Sequence, residues 1–292
     1  MQVSHAVQAA AAGAMKWTVG KVAITRVVEL EVVGGSRFIL PQASREEVKR
    51  LDWLCPRFAD PDGRLKMSIH SYVVETPARR ILIDTGLGND KQGRAIPDWN
   101  GRSGPFLADL AAAGYPAESI DTVLCTHLHV DHVGWNTRLR DGRWVPTFPR
   151  ARYLMGRVEF DYWQARPEPG PAAVFADSVK PVVDAGLVDL VASDFRLCEE
   201  IGLIPSAGHS PGHVSVHVAS QGEEALIAGD VAHHPCQMAR LDWSSTVDFD
   251  PAAAARTRRD LFARFAGTPT LILGGHFAGG ALIRDGEAFR LA

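Results

Sequence analysis

The feature that most constrains this chain is the segment His127-Leu128-His129-Val130-Asp131-His132, which follows the short apolar run Thr122–Cys125. It places three imidazoles and one carboxylate close together in the sequence. Imidazole and carboxylate are common ligands of zinc in proteins, and they also suit manganese, iron or cobalt. A single histidine is more often a core or surface residue, but four ligand-type side chains at this spacing predict a metal site.

The spacing of the cluster also predicts its geometry. Side chains two residues apart in an extended chain point to the same side, so His127 and His129 are expected to face one direction. Asp131 and His132 would then lie on the turn into the next element, where the chain can fold back toward a second ion.

Three further ligand-type residues occur later in the chain. His209 lies in a turn flanked by glycines. Asp230 and His276 each end an apolar run, 225–230 and 271–276. An apolar strand that ends in one polar residue presents that residue from a rigid support. Each of them alone could be a turn residue, but together with the cluster they predict a two-metal centre.

Composition places the chain among soluble globular proteins. Hydrophobic residues make up 46% and charged residues 22% of the 292 residues, and the formal net charge is -3. This balance gives no general attraction to nucleic acid, so we expect no nucleic-acid partner. No apolar run reaches the ~18 residues that a membrane helix requires, so we expect no membrane partner.

Cysteine spacing and the N-terminal segment give weaker indications. The four cysteines are scattered and include no C-x-x-C pair. An even count allows two disulfides, but the wide spacing favours reduced thiols and a cytoplasmic protein. Residues 1–14 lack the basic start and apolar centre of a secretory signal. We therefore expect residues 1–15 to be a disordered leader or tag remnant and residues 16–292 to form a single domain.

The rest of the chain predicts strands followed by mixed strand and helix units. β-branched residues in 16–30 predict one or two strands, and runs 68–75 and 80–84 predict a hairpin. One helix is expected from an N-cap at Ser103 to Gly114, and another from Asp250 to Gly267. Further strands are expected at 122–125, 187–191, 214–219, 225–228 and 270–273. Segments 36–66 and 136–152 have no assigned element, and such long loops are often binding loops.

With these residues in this order, the sequence resembles the metallo-β-lactamase superfamily from about Val22 to His276. The resemblance rests on Asp84-Thr85-Gly86, on the H-x-H-x-D-H cluster and on the later ligand positions. It implies an α/β (α+β) fold, a four-layer αβ/βα sandwich with the site at one edge. The implied roles are one metal on His127, His129 and His209, a second on Asp131, His132 and His276, Asp230 bridging the two, and Asp84 bracing a ligand histidine.

The same resemblance implies the chemistry of a hydrolase. Two divalent cations, zinc before the other metals, would lower the pKa of a bridging water and yield hydroxide at neutral pH. One cation would polarise a carbonyl or phosphoryl oxygen, and the other would stabilise the leaving oxygen. Asp131 or Asp230 can take the proton of the nucleophile.

Two positions narrow the branch of the superfamily. Zinc β-lactamases have a cysteine where Asp230 stands and lack the histidine at the position of His132. The sequence instead resembles the branch of N-acyl-homoserine lactone lactonases and methyl-parathion-hydrolase-like enzymes, which the segment Ser210-Pro211-Gly212-His213 also fits.

The chain departs from that branch three residues after Asp230, where many of its lactonases carry a substrate-contacting tyrosine. This chain has His233, followed by His234. An imidazole with an ordinary pKa near ~6.5 suits protonation of a leaving alkoxide. Asp131 and His233 are therefore the candidate catalytic residues. The alternative is that His233 or His234 caps a loop or binds a backbone carbonyl.

Tryptophans in the loops indicate the kind of substrate. A group of them near the site in sequence suggests an apolar or aromatic acyl or leaving group. We therefore expect a small, fairly apolar ester or lactone. An organophosphate triester is the alternative, and a metal-binding or regulatory protein without turnover is the alternative from another class. A homodimer, in which the N-terminal loop lends residues to a partner, is compatible with the sequence.

Overall fold

The computed structural model of the protein describes residues 8–9 and 15–292. Of the predicted leader, only the strand Gln8–Ala9 and Met15 are described, and the rest of that prediction lies outside the described residues. The chain divides into two compact units. The cluster unit contains Ile69–Ser193 and the described part of 6–29, and the C-terminal unit contains Leu30–Ser68 and Asp194–Ala292. The single domain 16–292 stays a prediction.

Strands come first in the described chain and are followed by mixed strand and helix units, as predicted. The strands are β1 (Gln8–Ala9), β2 (Met15–Val19), β3 (Val22–Val33), β4 (Lys66–Glu75), β5 (Arg80–Ile83), β6 (Thr122–Leu124), β7 (Thr137–Arg140), β8 (Arg143–Pro146), β9 (Arg152–Gly156), β10 (Val188–Val191), β11 (Ile201–Pro205), β12 (Val214–Ser220), β13 (Glu223–Ile227), β14 (Leu271–Leu273), β15 (Gly280–Asp285) and β16 (Ala288–Leu291). The α-helices are α1 (Ser36–Ile39), α2 (Arg45–Lys49), α3 (Phe106–Ala112), α4 (Val130–Val133), α5 (Arg157–Gln164), α6 (Pro169–Val174), α7 (Lys180–Asp184), α8 (Cys236–Ala239) and α9 (Pro251–Phe265).

The cluster unit is built on a sheet of order β1-β2-β3-β4-β5-β6-β9-β10. Strands β5, β6, β9 and β10 run parallel, and parallel strands that are covered on both faces are apolar throughout. Ile83 at the end of β5 pairs with Leu124 at the end of β6. Asp84 and the segment after Leu124 therefore leave the sheet at the same edge, where the Asp84 N–H donates to the Leu124 carbonyl at 3.0 Å.

The C-terminal unit is built on a sheet of order β11-β12-β13-β14-β15-β16. Only the pair β13–β14 is parallel among these described strands, and its last pair joins Ile227 to Leu273. Asp230 and His276 follow these two strand ends at the same separation along the chain. The pairing therefore brings the two residues to one edge of this sheet.

Most predicted elements are confirmed, with one error at a helix start. Helix α9 begins after Asp250, whose Oδ1 accepts the Ala253 N–H at 2.9 Å, as predicted. The predicted N-cap at Ser103 is wrong, because α3 begins at Phe106. Its first turn closes on the Pro105 carbonyl, which accepts the N–H of Ala108 and of Asp109.

The remaining fold predictions concern class, membrane and cysteines. The mixed α/β class is confirmed, since each unit combines one large sheet with helices. Among the described residues, no helix has the length and apolar character needed to cross a bilayer. All four cysteines are described, and all four are free thiols.

Candidate metal centre

The structure brings the four residues of the histidine cluster together. His127 and His129 lie in the loop after β6, and the cluster therefore follows a strand, as predicted. Their rings meet, with Nε2 of His127 3.0 Å from Nδ1 of His129. Asp131 and His132 lie in α4, with Asp131 Oδ1 3.9 Å from His132 Nε2. The ring centroids of His127 and His132 are 4.1 Å apart, so the cluster converges on a small volume.

Asp84 braces His132, which is the contact that the resemblance implied. One oxygen of Asp84 lies 2.8 Å from Nδ1 of His132 and accepts the Thr126 hydroxyl at 2.8 Å, while the other accepts the Thr126 N–H at 2.7 Å. A carboxylate only accepts hydrogen bonds, so Nδ1 of His132 carries the proton. In the neutral ring, Nε2 then presents its lone pair, as a metal ligand must.

The Thr126 hydroxyl orients His127 in a similar way. This hydroxyl has one proton, which it donates to Asp84. Its contact with Nδ1 of His127, at 3.1 Å, therefore has the imidazole as the donor. Nε2 of His127 is left as the lone-pair nitrogen. Asp84, through one direct and one relayed contact, sets the tautomers of two predicted ligands.

Two buried glutamates that the sequence analysis missed hold the cluster in place. Glu159 accepts the Leu128 N–H at 3.0 Å and the indole N–H of Trp163 at 2.6 Å. Glu29 accepts the Leu87 N–H at 2.6 Å and the indole N–H of Trp135 at 3.0 Å. Burial raises the pKa of Glu29 above its ordinary value. No sequence pattern distinguishes these residues from surface glutamates, since their burial is decided by tertiary packing.

The predicted ligands of the C-terminal unit also lie together, around one oxygen of Asp230. Oδ2 of Asp230 is 3.0 Å from Nε2 of His276, 3.3 Å from Nε2 of His233 and 3.5 Å from Nε2 of His209. All four residues are buried. Burial of a charged carboxylate among imidazoles requires compensating positive charge, from bound protons or from a cation.

The contacts of His276 also require positive charge beside Asp230. Its Nδ1 lies 3.1 Å from the Ser68 carbonyl, which only accepts, so Nδ1 is protonated. In the neutral ring, Nε2 then directs a lone pair toward the carboxylate oxygen of Asp230. Two acceptors at 3.0 Å repel each other unless a positive charge lies between them. The residue types and their tautomers therefore fit a divalent cation.

Glycines allow this close packing. A Cβ on Gly275 would lie 2.2 Å from Oδ1 of Asp230. Gly208, beside His209, has a φ of +138°, and a Cβ there would lie 2.4 Å from the Ala254 nitrogen of α9. Only glycine fits either position, because both the space and, at Gly208, the backbone conformation exclude a side chain.

Asp248 is a site residue that sequence reasoning did not find. Its Oδ1 lies 2.8 Å from Nδ1 of His209, and its Oδ2 accepts the Ser245 N–H at 2.8 Å. Burial raises the pKa of Asp248. In the sequence it stands just before Asp250, so it resembles an ordinary polar residue of a helix start.

His213 supports Asp230 through the backbone. Its Nε2 accepts the Asp230 N–H at 3.0 Å, so its proton lies on Nδ1, 2.8 Å from the Ser206 hydroxyl. It therefore orients a predicted ligand and lies outside the ring of imidazoles around Oδ2 of Asp230.

The two consecutive histidines after Asp230 have different surroundings. The Nε2 of His234 donates to the Phe58 carbonyl at 2.7 Å, and its Nδ1 accepts the Cys236 N–H at 3.1 Å. His234 thus binds a backbone carbonyl, as one sequence alternative stated. Neither ring nitrogen of His233 makes a hydrogen bond with the described residues. Burial lowers the pKa of His233 well below its ordinary value, so its ring is neutral near pH 7.

Residues 66–276 match the family description "Metallo-beta-lactamase superfamily", which covers more than half of the chain. The chain belongs to this superfamily. The match begins with β4 and ends at His276, so it includes the histidine cluster, His209 and Asp230. The family predicted from these residues is therefore confirmed.

Solved structures agree with the family across nearly the whole chain. The hydrolase AbOPH of the β-lactamase superfamily is 25% identical, with a TM-score of 0.78 and coverage of 97% of both chains. AidC, a dizinc quorum-quenching lactonase solved with a product, is 21% identical, with a TM-score of 0.78 and coverage of 96% of this chain and 97% of AidC. These likenesses confirm the predicted metallo-β-lactamase fold.

One curated relative of the chain is a lactonase. The N-acyl homoserine lactonase of Bacillus cereus is 23% identical over 173 residues, which are 55% of this chain. The match covers 62% of that lactonase, so the chain spans less than two thirds of its length.

Proposed function

We propose that this protein is a metal-dependent hydrolase with two divalent cations, zinc before manganese, iron or cobalt. The observation that carries the proposal is the convergence of the buried His209 and His276 imidazoles on Oδ2 of Asp230, a set of donors that suits a divalent cation. The proposed ligands are His127, His129, Asp131, His132, His209, Asp230 and His276. When bound, two such cations supply a water of lowered pKa as nucleophile and polarise the scissile carbonyl.

The chain's own residues provide the proton transfers of the proposed reaction. Asp131 is partly exposed in α4, and its carboxylate can accept a proton from the nucleophile. His233 is the candidate proton donor to the leaving oxygen. Because burial keeps its ring neutral, we expect His233 to act through a neutral N–H and not as an imidazolium.

We further propose a small, fairly apolar ester or lactone as the substrate. Val247 and Phe249 are 42% and 58% exposed and flank the buried Asp248, and the Phe249 N–H donates to the His209 carbonyl at 3.0 Å. Exposed apolar side chains beside a proposed metal ligand suit an acyl chain. The lactonase relatives support the same choice of substrate class.

Hydrolysis assays of the zinc-loaded protein test the proposal. We expect turnover of γ-lactones or aryl esters, and phosphotriesters of the paraoxon type measure the alternative. His127→Ala should lower kcat/KM by at least ~100-fold while circular dichroism shows a retained fold, because it removes a proposed ligand. Full activity in this variant would refute the metal mechanism. Zinc binding without turnover of any substrate would favour the regulatory alternative.

We also propose that the protein acts in the cytoplasm, which its free thiols favour.

A further inference from the structure

Each unit contains one aspartate that contacts a proposed ligand histidine through Nδ1. In the cluster unit this is Asp84 on His132, at 2.8 Å. In the C-terminal unit it is Asp248 on His209, also at 2.8 Å. The resemblance implied the first contact and says nothing of the second.

The placement of Asp248 is unusual for its segment. Its neighbours Val247 and Phe249 are exposed apolar residues, whereas the Asp248 side chain is fully buried. Burial of a carboxylate is costly unless specific partners compensate it. The partners of Asp248 include the imidazole of His209 and the backbone N–H of Ser245. The charged residue of an otherwise exposed turn is thus directed inward, onto a histidine.

The backbone fixes this contact on both sides. The N–H of Phe249 donates to the His209 carbonyl at 3.0 Å, and the N–H of Asp250 donates to the Gly208 carbonyl at 2.9 Å. The segment 245–250 therefore runs beside the turn that carries His209. This pairing holds the backbone of Asp248 close to that of His209.

The chemical consequence concerns the far nitrogen of His209. Because the Asp248 carboxylate only accepts, Nδ1 of His209 is protonated and Nε2 presents the lone pair. Nε2 lies 3.5 Å from Oδ2 of Asp230. A carboxylate on the opposite nitrogen also increases the basicity of a ligand imidazole, which strengthens its bond to a metal.

We propose that Asp248 is a positioning residue that sets the metal affinity of His209, as Asp84 does for His132. This rests on the proposed function, in which the two histidines hold different cations. Each cation would then have one carboxylate-braced histidine. Asp248 contacts a ligand of one cation only, so it would adjust the affinity of that cation site without changing the other.

Titration of the metal-free protein with Zn²⁺, in competition with a chromophoric chelator, tests the proposal. Wild type should take up two tight equivalents. Asp248→Asn should weaken one equivalent by ~10- to 100-fold and leave the other unchanged. Asp84→Asn, by contrast, should weaken both equivalents, because Asp84 contacts His132 directly and His127 through Thr126. Asp242→Asn is the matched control, since that exposed carboxylate pairs with Arg259 on the surface, and it should leave both affinities unchanged.

A double-mutant comparison separates positioning from a general structural effect. If Asp248 acts through His209, adding Asp248→Asn to His209→Ala should cause no further loss of affinity. Wild-type affinities in Asp248→Asn, equal weakening of both equivalents, or a further loss in the His209→Ala background would each overturn the proposal. Asp248→Ser serves as the second variant should the asparagine variant fail to fold.

The proposal and the proposed function fail in distinguishable ways. If the protein binds two zinc ions and shows the Asp248→Asn effect but hydrolyses none of the substrates, the positioning role of Asp248 is supported and the hydrolase function is refuted. If the protein hydrolyses lactones but Asp248→Asn binds zinc as the wild type does, the hydrolase function is supported and the positioning role is refuted.

Discussion

The buried histidines of this chain differ in the hydrogen-bond partners of their ring nitrogens. His132 and His209 donate from Nδ1 to carboxylates, and His276 donates from Nδ1 to a backbone carbonyl. In each case Nε2 is the nitrogen that faces the proposed metal. His234 instead has both nitrogens engaged by backbone groups, which excludes it as a ligand. The role of a histidine is thus set by the acceptor on its other nitrogen.

His234 should make the metal-free protein sensitive to acid. Burial lowers its pKa from 6.5 to about 4. The unfolded chain binds this proton below pH 6.5 and the folded chain only near pH 4, so stability falls as pH drops through this window. The expected contribution is about 3 kcal/mol. Urea unfolding at pH 7, 5.5 and 4.5 measures it.

His234→Gln is the comparison for that experiment. Its amide can still donate to the Phe58 carbonyl but does not titrate, so its unfolding free energy should depend less on pH. Equal pH dependence of the two proteins would show that His234 does not carry the effect.

At the scale of elements, helix α9 organises the segment around Asp230. Arg258 of α9 is fully buried, and it donates to the carbonyls of Val231, Leu241 and Trp243 at 2.7 to 2.8 Å. The same helix contacts the turn of His209, where the Thr257 hydroxyl donates to the Ala207 carbonyl at 2.6 Å. Helix α9 thus contacts both the turn that carries His209 and the segment that follows Asp230.

Arg258→Met should destabilise the protein strongly. It removes the Arg258 donor from the Val231 and Leu241 carbonyls, at about 1–3 kcal/mol for each, while the Trp243 carbonyl keeps the Gln237 amide, so we expect a loss of at least about 2 kcal/mol in the free energy of unfolding. Arg259→Met is the matched control on the same helix, because Arg259 is about half exposed and pairs with Asp242 at the surface. We expect the control to change stability by less than about 1 kcal/mol. Similar losses in both variants, measured by urea unfolding, would contradict this role for Arg258.

At the scale of the whole molecule, each unit has ligand-type residues at one edge of its sheet. In one unit the parallel pair β5–β6 directs Asp84 and the histidine cluster to an edge, and in the other the pair β13–β14 does so for Asp230 and His276. Each unit contains proposed ligands, so metal content should affect the stability of each unit.

Removal of metal should lower the thermal midpoint. A ligand that binds only the folded state stabilises it by RT ln(1 + [L]/Kd), which is about 4 kcal/mol at a thousandfold excess over Kd. We expect the Tm to fall after dialysis against a chelator and to recover on addition of Zn²⁺ but not Ca²⁺, which prefers oxygen ligands. A Tm unaffected by chelation and by added zinc would contradict a resident metal.

Several parts of the site were predictable because local sequence suffices for them. The histidine cluster, His209, Asp230 and His276 are ligand types at strand ends or glycine turns, and the structure places each set together within its unit. The start of α9 could also be predicted from local sequence, since an aspartate before a proline caps this helix. The start of α3 was not predicted correctly, because Pro105 and not Ser103 closes its first turn.

By itself, then, the sequence determined the family, the strand ends and the proposed ligands, because residue type and periodicity express them directly. Only the tertiary structure decided which carboxylates are buried and which nitrogen of each histidine carries the proton. Asp248 on His209, Glu159 on the cluster loop and Glu29 on the loop after Asp84 are all contacts between residues distant in sequence. Such contacts depend on packing, and no local pattern of residues encodes them.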